Sequence, residues 1–419
     1  MNQQPRICID ARLDPGFSGG VEQVVIGLAK GLSALTDGNE EYYFLTHTGA
    51  DDWLLPYLGS RCHLLHSRRG WQRTWRRAVA SRFPLARKVL EKIGSLAVER
   101  AIDIPRSNGT IEKAGIDLMH FTFQAAFLTD IPSIYHPHDL QHIHLPEYFS
   151  DYERRGRTAL YRCFSEQARM VAVSSSWVRQ DLAENLDIPL GKTAVIPLAP
   201  STEAYTSPST DELKQVRQKF GLPDAFAFYP AQTWPHKNHL RLVEAAAILK
   251  ESLGLQVPLV FSGRQGDFYS TLEKRIGELG LSDQVRFTGF VTPLELQSLY
   301  RLCRCVVIPT KFEAASFPLW EAFLAGAPTA CSNVTSLPRQ AGDAALVFDP
   351  DDAQAIATCI HRLWEDDDLR LTLAERGRNN VSRFTWKQTA SGFRAHYRRI
   401  LGLEMTDEDH AFVNTEPLI

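Results

Sequence analysis

Short runs of apolar, β-branched and aromatic residues recur along the chain, and between most of them lie longer stretches in which apolar positions return every three or four residues. Short continuous apolar runs suit strands buried on both faces, and the longer period suits amphipathic helices. Their alternation predicts parallel sheets joined by helical crossovers. The first half of the chain carries such runs at 6–11, 42–46, 62–66, 118–121, 133–138, 170–174 and 194–197. The second carries them at 225–231, 258–263, 285–289, 305–310, 329–332 and 346–349. Between the two sets, residues 199–210 are rich in Ser, Thr and Pro and have no apolar period, which reads as a linker. The pattern predicts an α/β protein of two Rossmann-like domains, 1–200 and 211–385, followed by a helix over 386–403. Residues 404–419 hold five acids and neither lysine nor arginine, and read as a flexible acidic tail.

At 419 residues the chain is long enough for two separate cores. A net charge of −3 argues against bulk electrostatic binding of nucleic acid. Seven cysteines without paired spacing suggest reduced thiols in a cytoplasm, as does a start that runs directly into the first strand with no signal-peptide pattern. No apolar stretch approaches the ~20 residues needed to span a bilayer. One region breaks the even charge distribution. Residues 61–90 contain no acid, while Arg69, Arg73, Arg76 and Arg77 accompany Trp71 and Trp75 at helical spacing. A basic amphipathic helix with tryptophans fits the anionic inner face of a membrane; the alternative is a solvated helix whose tryptophans pack on the core.

The sharpest chemical signal is a pair of carboxylates eight residues apart. Cys305-Val306-Val307-Ile308-Pro309 reads as a buried strand closed by proline, and Pro318 sits where a first helical turn prefers it, with Ser316 or Phe317 as cap. Gly326 and Pro328 end that helix. Glu313 therefore lies on the loop and Glu321 in the first turns of the helix. The amides of Ala314, Ala315, Ser316 and Phe317 point where a helix start attracts a diphosphate. Carboxylates that accept hydroxyls beside a diphosphate site describe a nucleotide sugar. Lys237 follows another strand near a helix start and supplies a cation. Gly19 and Gly20 follow the first strand, where glycines let backbone amides approach a ligand. His138-Asp139 sits at the end of the run beginning at Ser133. His136, His142 and His144 crowd it, but no Cys or carboxylate set completes a zinc pattern. Asp366-Asp367-Asp368 falls between two helical patterns and reads as a solvated turn, so no metal is expected.

The segment Phe312-Glu313, Pro318, Glu321-Ala322, Gly326-Ala327-Pro328, Ser332-Asn333, Leu337-Pro338 and Phe348-Asp349-Pro350 resembles the retaining glycosyltransferases of family four. Tyr229-Pro230-Ala231, His236-Lys237-Asn238 and Val285-Arg286-Phe287-Thr288-Gly289 extend the likeness. The resemblance implies the GT-B architecture, two Rossmann-like domains facing across a cleft, with the helix over 386–403 crossing back onto the first. It assigns Glu313 to sugar hydroxyls, Glu321 to the ribose, Lys237 to the diphosphate, and His138 to the donor sugar with Asp139 beside it. Gly19, Gly20 and Gly263 would border the donor. Many relatives place an arginine where this chain has Gln232, so His236 or Arg264 would have to complete the phosphate clamp. The stretch around Tyr229–His239 resembles the mannosyl- and rhamnosyltransferase branch of surface-polysaccharide synthesis. It implies GDP-mannose as donor, no cofactor or divalent metal, and a saccharide acceptor, lipid-linked on a polyprenyl diphosphate if the basic helix meets the inner membrane. Two other readings stay open: a nucleotide-sugar epimerase on the same fold, and a catalytically silent scaffold, which Gln232 and Arg339 suggest.

Overall fold

The computed structural model describes residues 4–16, 19–49, 51–67 and 102–415. The stretch holding Arg69, Trp71, Arg73, Trp75, Arg76 and Arg77 lies outside the described residues, as do positions 17 and 18 of the glycine loop. The described chain divides into two units. Unit 1 takes Met1–Val173, Arg179–Ile196 and Lys387–Glu416, and unit 2 takes Ser174–Val178 and Pro197–Trp386.

The sheet of unit 1 is built from β1 (Arg6–Asp10), β2 (Glu41–His47), β3 (Cys62–Ser67), β4 (Leu118–Phe121), β5 (Ser133–Tyr135), β6 (Met170–Val173) and β7 (Thr193–Val195). Its order is β3-β2-β1-β4-β5-β6-β7, with parallel pairing throughout. Unit 2 repeats the plan with β8 (Ala227–Pro230), β9 (Leu259–Ser262), β10 (Val285–Gly289), β11 (Cys305–Ile308), β12 (Thr329–Ser332) and β13 (Ala345–Phe348), in the order β10-β9-β8-β11-β12-β13. β4, β6, β9, β11 and β12 are buried at every position, which is why they read as unbroken apolar runs rather than alternating ones. In each sheet the order reverses beside the unit's first strand, between β1 and β4 and between β8 and β11. Loops leaving the carboxyl ends of such a pair diverge and open a crevice where ligands of open α/β sheets collect.

Three expectations change. The stretch 199–210 is not an open linker: Ala199 and Ser201 are buried, and Thr202–Tyr205 forms a short 3-10 helix. The Trp386 indole donates to the Pro200 carbonyl at 2.7 Å. The expected acidic tail contains the helix Asp407–Asn414, started by a reciprocal capping box between Thr406 and Asp409. Asp409 is buried and accepts Arg398 Nη1 at 2.6 Å, while Arg398 Nε bonds Glu40 at 2.5 Å within unit 1. Its acids read as solvated because the arginine that neutralises the buried one lies eleven residues away. The run from Ser133 ends as a strand at Tyr135, and His138 lies beyond it at φ +66°.

Candidate functional site

β8 and β11 are neighbours at the reversal point of unit 2, so the loops after them meet. The β8 loop ends in the turn Pro235–Lys237, and Asn238 at φ +60° starts the helix His239–Leu253. The Asn238 side-chain amide is buried and donates to the carbonyls of Pro309, at 2.9 Å, and Pro350, at 2.8 Å, which pins the β8 loop to the one after β11. Lys311 N and Thr310 Oγ1 add bonds to the His236 carbonyl. This bracing brings Lys237 Nζ to 2.5 Å from Glu313 Oε1 in a half-buried ion pair across 76 residues. Among the described residues, Glu313 Oε2 takes no hydrogen bond.

The helix Phe317–Ala325 begins with Ser316 as cap and Pro318 in its first turn, and ends at Gly326 at φ +72°. Leu319, Trp320, Ala322 and Phe323 are buried and anchor it. Glu321 is also buried, 7% exposed, rather than presented openly from the first turn. Its carboxylate accepts Ser201 Oγ at 2.6 Å and Tyr300 Oη at 3.0 Å. Of the expected amides, that of Ser316 is already used, donating to Gln340 Oε1 at 2.9 Å. Those of Ala314, Ala315 and Phe317 have no acceptor among the described residues.

Gln232 is partly exposed on the β8 loop, and its carbonyl accepts Trp234 N. Gly263, at φ +125°, passes so close to that loop that a Cβ would lie 2.8 Å from the Ala231 carbonyl carbon. No other residue fits there without moving the backbone. His236 is kept neutral, its pKa lowered to about 3 by burial and then by Lys237. The Arg264 guanidinium, the other expected cation, lies 5.3 Å from the Phe290 ring centroid.

In unit 1, Gly19 at φ +56° caps the helix Gly20–Ser33. His138 Nε2 meets the Thr122 carbonyl at 2.8 Å, and burial lowers its pKa to about 4. Asp139 accepts Gln141 N at 3.0 Å. His136 stacks on His138 with centroids 4.1 Å apart, His142 meets Thr158, and His144 pairs with Asp181 at 2.6 Å. Among the described residues no group of three or more His, Cys, Asp or Glu could hold a metal ion, and no helix is long and apolar enough to cross a membrane. Asp366–Asp368 is exposed, but only Asp366 lies between helices: it caps the helix Asp367–Val381, and Asp367 and Asp368 belong to that helix's first turn.

The sequence pattern missed Ser201, Tyr300, Gln340 and the Asp10–Arg12 pair, bonded twice at the end of β1. Their only signal is a polar residue in an apolar neighbourhood, which names no partner.

The family model described as Glycosyltransferase Family 4 matches residues 18–204, and that described as Glycosyl transferases group 1 matches residues 211–380. O-antigen chain mannosyltransferase B of Escherichia coli is 31% identical over 252 residues, 60% of this chain and 66% of that protein. The serotype-specific mannosyltransferase WbdA of Escherichia coli is 30% identical over 228 residues, 54% of this chain and only 28% of that protein. The chain therefore spans part of the length of these relatives. Among solved structures, Anabaena HepE in complex with UDP and glucose superimposes with TM-score 0.69 at 20% identity, covering 94% of this chain and all of that one. WaaG, a glycosyltransferase involved in lipopolysaccharide biosynthesis, gives TM-score 0.61 at 15% identity, covering 94% of this chain and all of that one.

Proposed function

The chain belongs to the glycosyltransferases that join a family 4 domain to a group 1 domain, and on that premise we propose that it moves mannose from GDP-mannose to a saccharide acceptor with retention of configuration. The observation that carries this reading is the Lys237–Glu313 pair at the reversal point of unit 2, beside the amides of Ala314, Ala315 and Phe317. Lys237 and those amides oppose the charge that grows on the diphosphate as the sugar bond breaks, the kind of stabilisation that dominates such rates. The cation also neutralises Glu313, which leaves Oε2 to accept a sugar hydroxyl next to an anionic leaving group. Glu321, oriented by Ser201 and Tyr300, takes the ribose hydroxyls. For unit 1, the family resemblance alone assigns His138 and Asp139 to the sugar and acceptor, and Gly19 and Gly20 to the phosphates. Attack occurs on the face the diphosphate leaves, and a phosphate oxygen takes the acceptor proton. With Lys237 and the amides supplying positive charge, the scheme uses no divalent metal, and chelation with EDTA should leave turnover unchanged.

Mannose is favoured by the names of the two Escherichia coli relatives. A panel of GDP-, UDP- and dTDP-sugars, read by nucleotide release with and without oligosaccharide acceptors, tests the reading. Release from GDP-mannose with an α-linked product supports it. Binding of no nucleotide diphosphate by calorimetry would return the chain to the scaffold reading. We place the acceptor on a polyprenyl diphosphate at the inner membrane because residues 61–90 carry no acid. Replacing Arg69, Arg73, Arg76 and Arg77 with glutamine should then release the protein from anionic vesicles at low salt.

A further inference from the structure

The backbone from Glu313 to Ser316 is sewn down at both ends by side chains from one short segment after β12. Thr335 Oγ1 accepts the Glu313 amide at 3.2 Å and donates back to the Glu313 carbonyl. Gln340 Oε1 accepts the Ser316 amide at 2.9 Å, and its Nε2 donates to the Ser316 carbonyl at 2.7 Å. Each side chain satisfies both polar groups of one residue, as a neighbouring strand would, so the orientation of the Gln340 amide follows from its partners. Ser336 Oγ adds bonds to the carbonyls of Glu313, at 2.9 Å, and Ala314, at 2.7 Å. Between the two clamped residues, the amides of Ala314 and Ala315 have no acceptor among the described residues.

Thr335 holds φ at +53°, where a β-branched residue is a rare outlier. A glycine would adopt that conformation freely, but it would remove the hydroxyl that grips Glu313. Backbone strain retained beside a reactive group is a pattern of sites in which geometry matters more than local stability.

We propose that Thr335 and Gln340 are positioning residues that shape the donor's diphosphate cradle. They keep the Ala314 and Ala315 amides turned toward phosphate oxygens and the Glu313 carboxylate beside Lys237. The proposal rests on the donor-site reading above and names the residues that hold that site in shape.

Thr335→Gly relieves the strain and deletes the grip, so the two roles separate. Thr335→Ser keeps the hydroxyl, and Gln340→Met keeps the bulk without the amide. Each full-length variant is compared with wild type for melting temperature, GDP affinity by calorimetry, and kcat and KM on the nucleotide sugar that wild type hydrolyses. Thr335→Gly should melt no lower than wild type while kcat falls on the order of 10- to 100-fold, as expected for a misplaced reacting group. Gln340→Met should show a comparable fall, and Thr335→Ser should restore most of the rate. Wild-type kcat and GDP affinity in Thr335→Gly would overturn the positioning role alone. Wild-type protein that binds none of GDP, UDP and dTDP would instead overturn the donor-site reading, and the positioning role with it.

Discussion

Lys237 and Glu321 sit 84 residues apart in the chain and do different work, so their removal should look different. Lys237 faces the bond that breaks. Its charge is worth most at the transition state, and Lys237→Ala should lower kcat on the order of 10²-fold or more. A rise confined to KM would show that it binds only the ground state. Glu321 is buried between Ser201 and Tyr300 and is proposed to receive two ribose hydroxyls. Losing those bonds in Glu321→Ala should weaken GDP binding by about 2–4 kcal/mol, since charge-assisted bonds contribute about 1.5–3 kcal/mol each and add imperfectly. An unchanged dissociation constant would take Glu321 out of the site. The carboxylate pair could be found from text because its spacing sits between a strand signal and a helix start. Ser201 could not: it stands in a Ser- and Pro-rich stretch that looks solvated, and only the fold brings it to Glu321.

At the scale of elements, the thirteen strands among the described residues emerge where apolar runs predict them, because each run is too short and too β-rich to bury itself as a helix. Their ends shift by a residue or more: the run at 133–138 stops pairing at Tyr135, since Pro137 cannot donate to a ladder. The helix Asp407–Asn414 was hidden for a different reason. Its capping box is local, but its anchor is Arg398, held between Glu40 and Asp409. Asp409→Ala should remove both the cap and one side of that buried network. Breaking a buried pair costs about 3–5 kcal/mol, and with Glu40 still opposing Arg398 the lower end applies. A clear fall in melting temperature checks this; an unchanged value would show that the C-terminal helix adds nothing to unit 1.

For the whole molecule, buried imidazoles decide the response to acid. His120 and His239 are fully buried, and burial lowers each pKa to about 3, while that of His138 falls to about 4 for the same reason. An unfolded chain protonates these rings near pH 6.5, so below that pH it binds protons that the native state refuses. Their contribution is intact above about 6.5 and is lost as pH falls toward the native values. His144 opposes the trend, because its bond to Asp181 raises its pKa. These lowered groups, with His236 beside them, outweigh it, and urea denaturation should show markedly lower stability at pH 5 than at pH 7. Equal stability would mean that these histidines are charged or exposed in the native protein. Replacing His239 with glutamine should flatten the slope.

Local periodicity and turn chemistry determined by themselves the α/β class, the two domains and the Glu313–Glu321 motif with its helix start. Those features depend on residues within about ten positions of each other, where strand, helix and cap preferences act. Tertiary structure alone decided which polar groups meet: Asn238 with Pro309 and Pro350, Lys237 with Glu313, and Thr335 and Gln340 with the loop between the carboxylates. Parallel sheets join strands through long crossovers, so neighbours at the reversal point come from distant text. A hydrogen bond between them leaves no periodic trace in the sequence.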